Sequence, residues 1–307
     1  MSAPSATSPP SLARPTGSDL ALMAVGVLGV STSGPLIAAT LAPALAIAFW
    51  RNALATAVML PYALLRGRAD LARLRGRELR LTLAAGALLA AHFATWVPSL
   101  RYTSVASSTA LVCMQAVWAA LFARLAGERV PGRAWLGMAL ALLGVLLVTG
   151  VDAAFSARAL VGDVLALAGG IFSGAYVVLG AQVRRSVSTT AYTTACYGTC
   201  ALLLLALCVL SGQALTGYSA DAWARIAALT VLAQLLGHSV FNLVLRTTSP
   251  TVVSLVILFE VPGAAVLAAL ALDDRPPAAA LPALALLLAG IAVVIRSREQ
   301  LPAVVPD

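Results

Sequence analysis

Isolated charged side chains lie inside long apolar segments of this 307-residue chain. Glu260 lies about ten residues from either end of one such segment, which is roughly 15 Å deep if the segment is helical. Arg51 lies inside another. A charge within an apolar helix is costly, so it must face an interior cavity, carry a proton or pair with an opposite charge. These residues therefore offer a site for a polar ligand or a proton, and a structural hydrogen bond between helices is the alternative.

Arg51 lies well inside its apolar segment, and three environments suit it. Its depth differs from that of Glu260 by only about 5 Å by helical rise, so the two side chains can pair. Its guanidinium also suits the carboxylate of a bound ligand. The third possibility is that its long stem carries the charge to the nearest polar surface.

A second group of polar side chains repeats at helical spacing. Gln234, His238 and Asn242 are four residues apart, which places all three on one face of a helix. His92 and Trp96 are likewise one turn apart on another segment. We predict that both faces line a cavity. Packing is the alternative for the histidines, and a position at the edge of the apolar layer is the alternative for the tryptophan.

Ser33 lies in the sequence Ser33-Gly34-Pro35, which should weaken a helix because proline removes a backbone donor. We expect the freed carbonyl groups to be satisfied by the Ser31 hydroxyl or by water. This segment is a hinge, a binding surface or a static kink. Gln115 and Tyr176 are further polar side chains within apolar segments. The candidate ligand-binding residues are therefore Glu260, His238, Gln234, Asn242, His92, Trp96, Gln115, Arg51, Ser33 and Tyr176.

The composition decides the class of protein that carries these residues. Hydrophobic residues make up 61% of the chain, charged residues 10%, and the mean hydropathy is +0.94. Soluble domains are about a quarter charged. β-Barrels alternate apolar and polar residues, whereas these segments are continuously apolar. The composition therefore predicts a helical integral membrane protein and excludes a soluble enzyme and a nucleic-acid-binding protein, although the net charge is +8.

Ten segments are long enough to cross a bilayer, which requires roughly 20 apolar residues. Residues 1–18 are predicted to form a disordered tail without a cleaved signal peptide, and 297–307 form the other tail. The spans lie at about 19–38, 44–65, 79–97, 103–125, 134–150, 159–182, 190–211, 226–245, 250–271 and 277–296.

The arginines predict the orientation of these spans. With both termini in the cytoplasm, fifteen arginines fall on the cytoplasmic side and four on the outer side. Positive residues are enriched in cytoplasmic loops. We therefore expect both termini to be cytoplasmic.

An internal repeat relates the two halves, 19–150 and 159–296. An offset of 145 residues places Gln115 on Glu260 and aligns the order of the spans. Five spans per repeat is an odd number, so the second copy should be inverted in the membrane. In agreement, the loop 66–80 carries six arginines and its counterpart 212–225 carries one. Inverted repeats are typical of transporters that expose a midplane site to alternate sides; duplication for packing alone is the alternative.

Several segments resemble EamA domains of the drug/metabolite transporter superfamily. They are Ala48-Phe49-Trp50-Arg51, 101–129, Trp135-Leu136-Gly137, Gly162–Ala166 and 249–274 with Phe259-Glu260. The resemblance implies ten transmembrane helices and a multi-pass carrier in a bacterial inner membrane, often an exporter of amino acids or similar metabolites. It also implies a cavity lined mainly by helices one, three, four, six, eight and nine.

The sequence thus predicts an all-α integral membrane protein with two inverted five-helix repeats that acts as a secondary transporter. Its expected partners are a small-molecule substrate, the lipid bilayer and, as a candidate coupling ion, the proton. A channel is the first alternative and an intramembrane hydrolase the second, although Ser173-Gly174 lacks the spacing of a serine protease site. We expect no cofactor, no metal and no nucleic-acid partner. The four cysteines lie in apolar segments and are predicted to serve in packing.

Overall fold

The computed structural model describes residues 17–125, 127, 130–184, 186–237, 240–241, 244 and 256–298. Within these ranges all regular structure is helical, as the composition predicts. Eight helical segments among them are long and apolar enough to cross a membrane: Gly17–Ala39, Ala44–Arg66, Gly76–Ser99, Val105–Phe122, Gly132–Ala154, Ala157–Val183, Thr189–Leu210 and Ala280–Ser297. The predicted spans 226–245 and 250–271 fall partly outside the described residues, so the structure does not confirm ten spans.

The described residues of the first half form eight helices, several of which join into longer segments. They are α1 (Gly17–Ser31), α2 (Ser33–Ala39), α3 (Ala44–Arg66), α4 (Arg68–Leu71), α5 (Gly76–Ser99), α6 (Val105–Val112), α7 (Gln115–Leu125) and α8 (Gly132–Phe155). The second half contains α9 (Ala157–Val183), α10 (Thr189–Leu210), α11 (Ala220–Ala228), a π-helix (Leu229–Gly237), α12 (Glu260–Leu272) and α13 (Ala280–Arg298).

The break between α1 and α2 falls at Thr32, within the segment that the proline pattern predicts. The Thr32 hydroxyl donates to the Gly29 carbonyl over 2.7 Å. The Ser31 hydroxyl is buried without a hydrogen-bond partner. The Ser31 hydroxyl therefore does not satisfy a carbonyl freed by Pro35, and the Thr32 hydroxyl bonds to the Gly29 carbonyl of the preceding turn.

Two further helix breaks occupy corresponding positions in the halves. Between α6 and α7 the turn lies at Cys113 and Met114, and Gln115 begins the next helix. In the second half the turn lies at Leu258 and Phe259, and Glu260 begins α12. These positions differ by the 145 residues of the predicted repeat. The repeat offset thus aligns backbone breaks as well as residue types.

Helix packing is also reciprocal between the halves. Helix α8 packs on α13, and α3 packs on α10. Helix α5 packs on α9, while its counterpart, the π-helix, packs on α1. Glycines permit the close approaches: a Cβ atom on Gly144 of α8 would lie 2.6 Å from the Cα atom of Leu287 in α13. Small residues of this kind let membrane helices approach closely.

Candidate functional site

A cavity of about 620 Å³ lies between the two halves. It runs from Arg51 and Trp96 to the junction of α9 and α10, where Arg184 and Thr189 line it. Eight of the ten candidate ligand-binding residues line this cavity: Ser33, Arg51, His92, Trp96, Gln115, Tyr176, Gln234 and Glu260. The other two, His238 and Asn242, lie outside the described residues.

Arg51 is held in the protein interior by groups from three other helical elements. Only 2% of the surface of Arg51 is exposed. The Nε atom donates to Gln234 Oε1 over 2.7 Å, and a terminal nitrogen donates to Ser33 Oγ over 3.4 Å. The guanidinium also lies 4.6 Å from the centre of the Phe93 ring, a distance suited to a cation–π interaction. The extension of Arg51 to a polar surface is therefore excluded.

Gln234 connects Arg51 to a second buried amide. Its Nε2 atom donates to Asn52 Oδ1 over 3.1 Å, and Asn52 Nδ2 donates to the Ala48 carbonyl over 2.8 Å. Gln234 lies in the π-helix, a rare conformation that is frequent at functional sites. Gln234 and Asn52 thus fix the orientation of Arg51. Among the described residues, Arg51 is the one buried cation that lines the cavity.

Glu260 contributes a carboxyl group to the same cavity. It begins α12, lines the cavity and interacts electrostatically with Arg51. Among the described residues, no nitrogen of Arg51 lies within ion-pairing distance of the Glu260 carboxylate. The direct pair considered from the sequence is therefore not formed. A carboxyl group and a guanidinium group thus face the same cavity without direct contact.

His92 and Trp96 form an aromatic wall of the cavity. Their rings are 5.5 Å apart and inclined by only 19°. His92 Nδ1 lies 3.0 Å from the Gly169 carbonyl, which can only accept, so this nitrogen carries the hydrogen. The Trp96 indole nitrogen is buried without a hydrogen-bond partner, and the residue is 5% exposed. The membrane-edge position considered for Trp96 is therefore wrong, since the side chain lies in the protein interior on the cavity wall.

Gln115 and Tyr176 lie on the side of the cavity formed by α7 and α9. The Ser173 hydroxyl of α9 donates a short hydrogen bond to Gln115 Oε1. Sequence reasoning missed Tyr192 and Tyr197 of α10, which also line the cavity. Their polar hydroxyls within the predicted span 190–211 were the available signal. The lining also includes α3, α10 and α13, beyond the helices that the family resemblance implies.

Arginine–carbonyl contacts close the end of the molecule that lies far from Arg184. Arg101 donates to the carbonyl groups of Thr40 and Ala42 over 2.6 and 3.1 Å. Arg225 of the second half donates to the Ala39 carbonyl over 2.9 Å. Partial burial lowers the pKa of the Arg101 guanidinium from its ordinary value, but arginine remains charged in proteins. These contacts tie the α2–α3 loop to both halves.

Comparisons with known proteins agree with this architecture. The model of the EamA-like transporter family matches residues 17–150 and 160–296. An uncharacterized transporter of Archaeoglobus fulgidus is 25% identical over 234 residues, which cover 75% of this chain and 80% of that protein. One crystal structure matches with a TM-score of 0.64 and 21% identity over 92% of this chain and 99% of that one, a likeness of fold. Because the family model matches both halves of the chain, the chain belongs to the EamA-like transporter family.

Proposed function

We propose that the protein is a secondary transporter that moves a small zwitterionic metabolite, such as an amino acid, through the cavity. One observation carries the proposal: the guanidinium of Arg51 and the carboxyl group of Glu260 face the same 620 Å³ space without a direct ion pair. An α-carboxylate suits the guanidinium of Arg51, and an α-ammonium suits the carboxylate of Glu260. The charged groups of the substrate and of these two side chains would be removed from water, and the attraction between opposite charges is stronger in such an environment.

The remaining lining suits the rest of such a substrate. Aromatic groups from α5, α9 and α10 provide apolar surface. Ligand pockets typically measure about 300–1,000 Å³, so the cavity has the size of a small-molecule site. A membrane channel would instead require a continuous polar path or filter.

Alternating access follows if the two halves exchange conformations. The reciprocal packing and the matched helix breaks support a two-fold relation, and five spans in each half support its inversion in the membrane. The arginine distribution supports cytoplasmic termini in a bacterial inner membrane. With that orientation, the Arg184 end of the cavity faces the cytoplasm and the contacts of Arg101 and Arg225 close the outer end. A cavity loaded from the cytoplasm suits export.

Glu260 is the proposed site of proton coupling. A carboxylate in a cavity can carry a proton when the substrate is absent and release it when a substrate ammonium pairs with it. Because the proton and the substrate would occupy Glu260 in turn, the movement of protons in one direction would be coupled to the movement of substrate in the other. The proton gradient could then drive export.

Transport by purified protein in proteoliposomes tests the proposed function. We expect saturable movement of at least one amino acid from a panel, accelerated by a pH gradient. Ala116→Trp should abolish it, because Ala116 lines the cavity and an indole would fill the space. Ala139→Trp is the matched control, since Ala139 lies on an exposed face of α8. Unsaturable flux or an ionic current through the wild-type protein would instead indicate a channel.

A further inference from the structure

Two buried carboxylates lie outside the cavity, near its closed end. Asp163 of α9 is 0% exposed, and neither of its carboxylate oxygens has a hydrogen-bond partner. Asp152, near the end of α8, is 4% exposed and accepts a hydrogen bond of 3.5 Å from Thr103 Oγ1. The two carboxylates interact electrostatically. Two such groups cannot both stay ionised in an apolar interior unless a positive charge joins them.

Hydroxyl groups complete a set of oxygen atoms around this pair. The Thr103 and Thr149 hydroxyls lie beside Asp163, and the Ser107 hydroxyl lies beside Asp152. The hydroxyl oxygens of Ser107 and Thr149 are buried, and these carboxyl groups are the polar groups that lie beside them. Several oxygens that ought to be satisfied are thus left facing one another.

The neighbouring charged residues do not neutralise the pair. Arg101 is directed to the carbonyl groups of the α2–α3 loop. Arg158 donates to the Arg101 carbonyl over 3.1 Å and lies over the Tyr102 ring. Asp274, the third nearby carboxylate, accepts from the Val105 N–H group over 2.8 Å. Among the described residues no side-chain cation therefore neutralises the pair, which leaves a bound cation or a proton to do so.

We propose that Asp152, Asp163 and the hydroxyls of Thr103, Thr149 and Ser107 form a binding site for a sodium ion. All donors are oxygens, which favours a hard cation over a transition metal. No group of three histidine, cysteine or acidic side chains is positioned to hold a metal within the described ranges, so a tight divalent site is disfavoured. A single cation and one shared proton would neutralise the two carboxylates.

The location gives the ion a structural effect. Thr103 lies between α5 and α6, Asp152 in α8 and Asp163 in α9, so the ion would join both halves. A surface pocket of about 300 Å³, lined by Thr103 and Asp152, provides a path from solvent. Bound sodium would therefore stabilise the closed end of the molecule. This site is separate from the cavity, and its test requires no transport.

Thermal unfolding of the purified full-length protein in detergent tests the site. Sodium chloride is titrated against choline chloride at equal ionic strength in mildly alkaline buffer. We expect a saturable rise in the unfolding temperature of the wild-type protein with sodium only. Asp163→Asn should abolish the rise, and Asp274→Asn should retain it because an amide oxygen can still accept from Val105. Thr149→Val should raise the half-saturating sodium concentration about tenfold.

Four results would overturn the proposal. Equal stabilisation by choline would show a general salt effect. Stabilisation by calcium but not by sodium would show that the site binds a different ion from the one proposed. A response to pH without a response to sodium would mean that the carboxylates only share a proton. An unchanged sodium response in Asp163→Asn would place the ion elsewhere. Should Asp163→Asn not fold, the shift in Thr149→Val decides.

Discussion

Gln234→Leu removes both hydrogen bonds that tie the π-helix to α3 and leaves the Arg51 Nε atom without its acceptor. Ordinary hydrogen bonds between membrane helices contribute about 0.6 kcal/mol each. A bond to a charged group contributes about 1.5–3 kcal/mol. Because Arg51 is almost fully buried, the larger figure should dominate. We expect a loss of about 2 kcal/mol in the free energy of unfolding.

Thiol labelling during denaturation measures this loss directly. All four cysteines are free and buried, as the sequence predicts. Cys113 lines the cavity, so the assay follows Cys196, Cys200 and Cys208, which we expect to react only when the protein unfolds. Thr230→Val is the matched control, since Thr230 is buried in the same π-helix and its hydroxyl bonds only to the Ile226 carbonyl of the preceding turn. We expect the control to change stability by less than about 0.5 kcal/mol. A Gln234→Leu protein as stable as this control would refute the role given to Gln234.

Two further predictions concern packing and orientation. Gly144→Ala should destabilise the protein by about 1–3 kcal/mol, because the new methyl group meets the backbone of α13. Gly150→Ala, in the same helix but with open space around it, should be neutral or slightly stabilising in the same unfolding assay; equal losses would contradict the close contact. In a cysteine-free background, Ala42→Cys should react with an impermeant thiol reagent added outside intact cells, whereas Asp70→Cys should react only after permeabilisation. External labelling of Asp70→Cys would contradict the orientation.

The residues of the cavity could be predicted where a physical rule left few options. Glu260, Arg51 and Gln115 are polar groups deep in apolar segments, and such groups face the interior because lipid offers no partners. The structure accordingly places all three on one cavity. The sequence did not indicate which hydrogen bonds they form. Arg51 bonds to Gln234 rather than to Glu260, since partner choice depends on packing between distant elements.

Other features depend on tertiary contacts that periodicity does not report. A spacing of four residues predicts an α-helical face around Gln234, yet this residue lies in a π-helix that packs closely on α1. A Cβ atom on Gly29 of α1 would lie 2.7 Å from the Leu232 carbonyl, a closeness that only the folded arrangement reveals. Trp96 illustrates a second limit. An aromatic near the end of a span fits either the membrane edge or the interior, and the stacked His92 ring decides for the interior.

The central claim is that the substrate and the proton bind in the same cavity. Substrate uptake by proteoliposomes that contain the Glu260→Gln variant tests this claim most directly. The amide keeps the shape of the side chain and removes its charge. We predict that Glu260→Gln abolishes substrate movement driven by a pH gradient, while Glu78→Gln, which changes a carboxylate outside the cavity lining, retains it. Both variants should elute as folded protein on size exclusion. Wild-type pH-driven transport by Glu260→Gln would contradict the account.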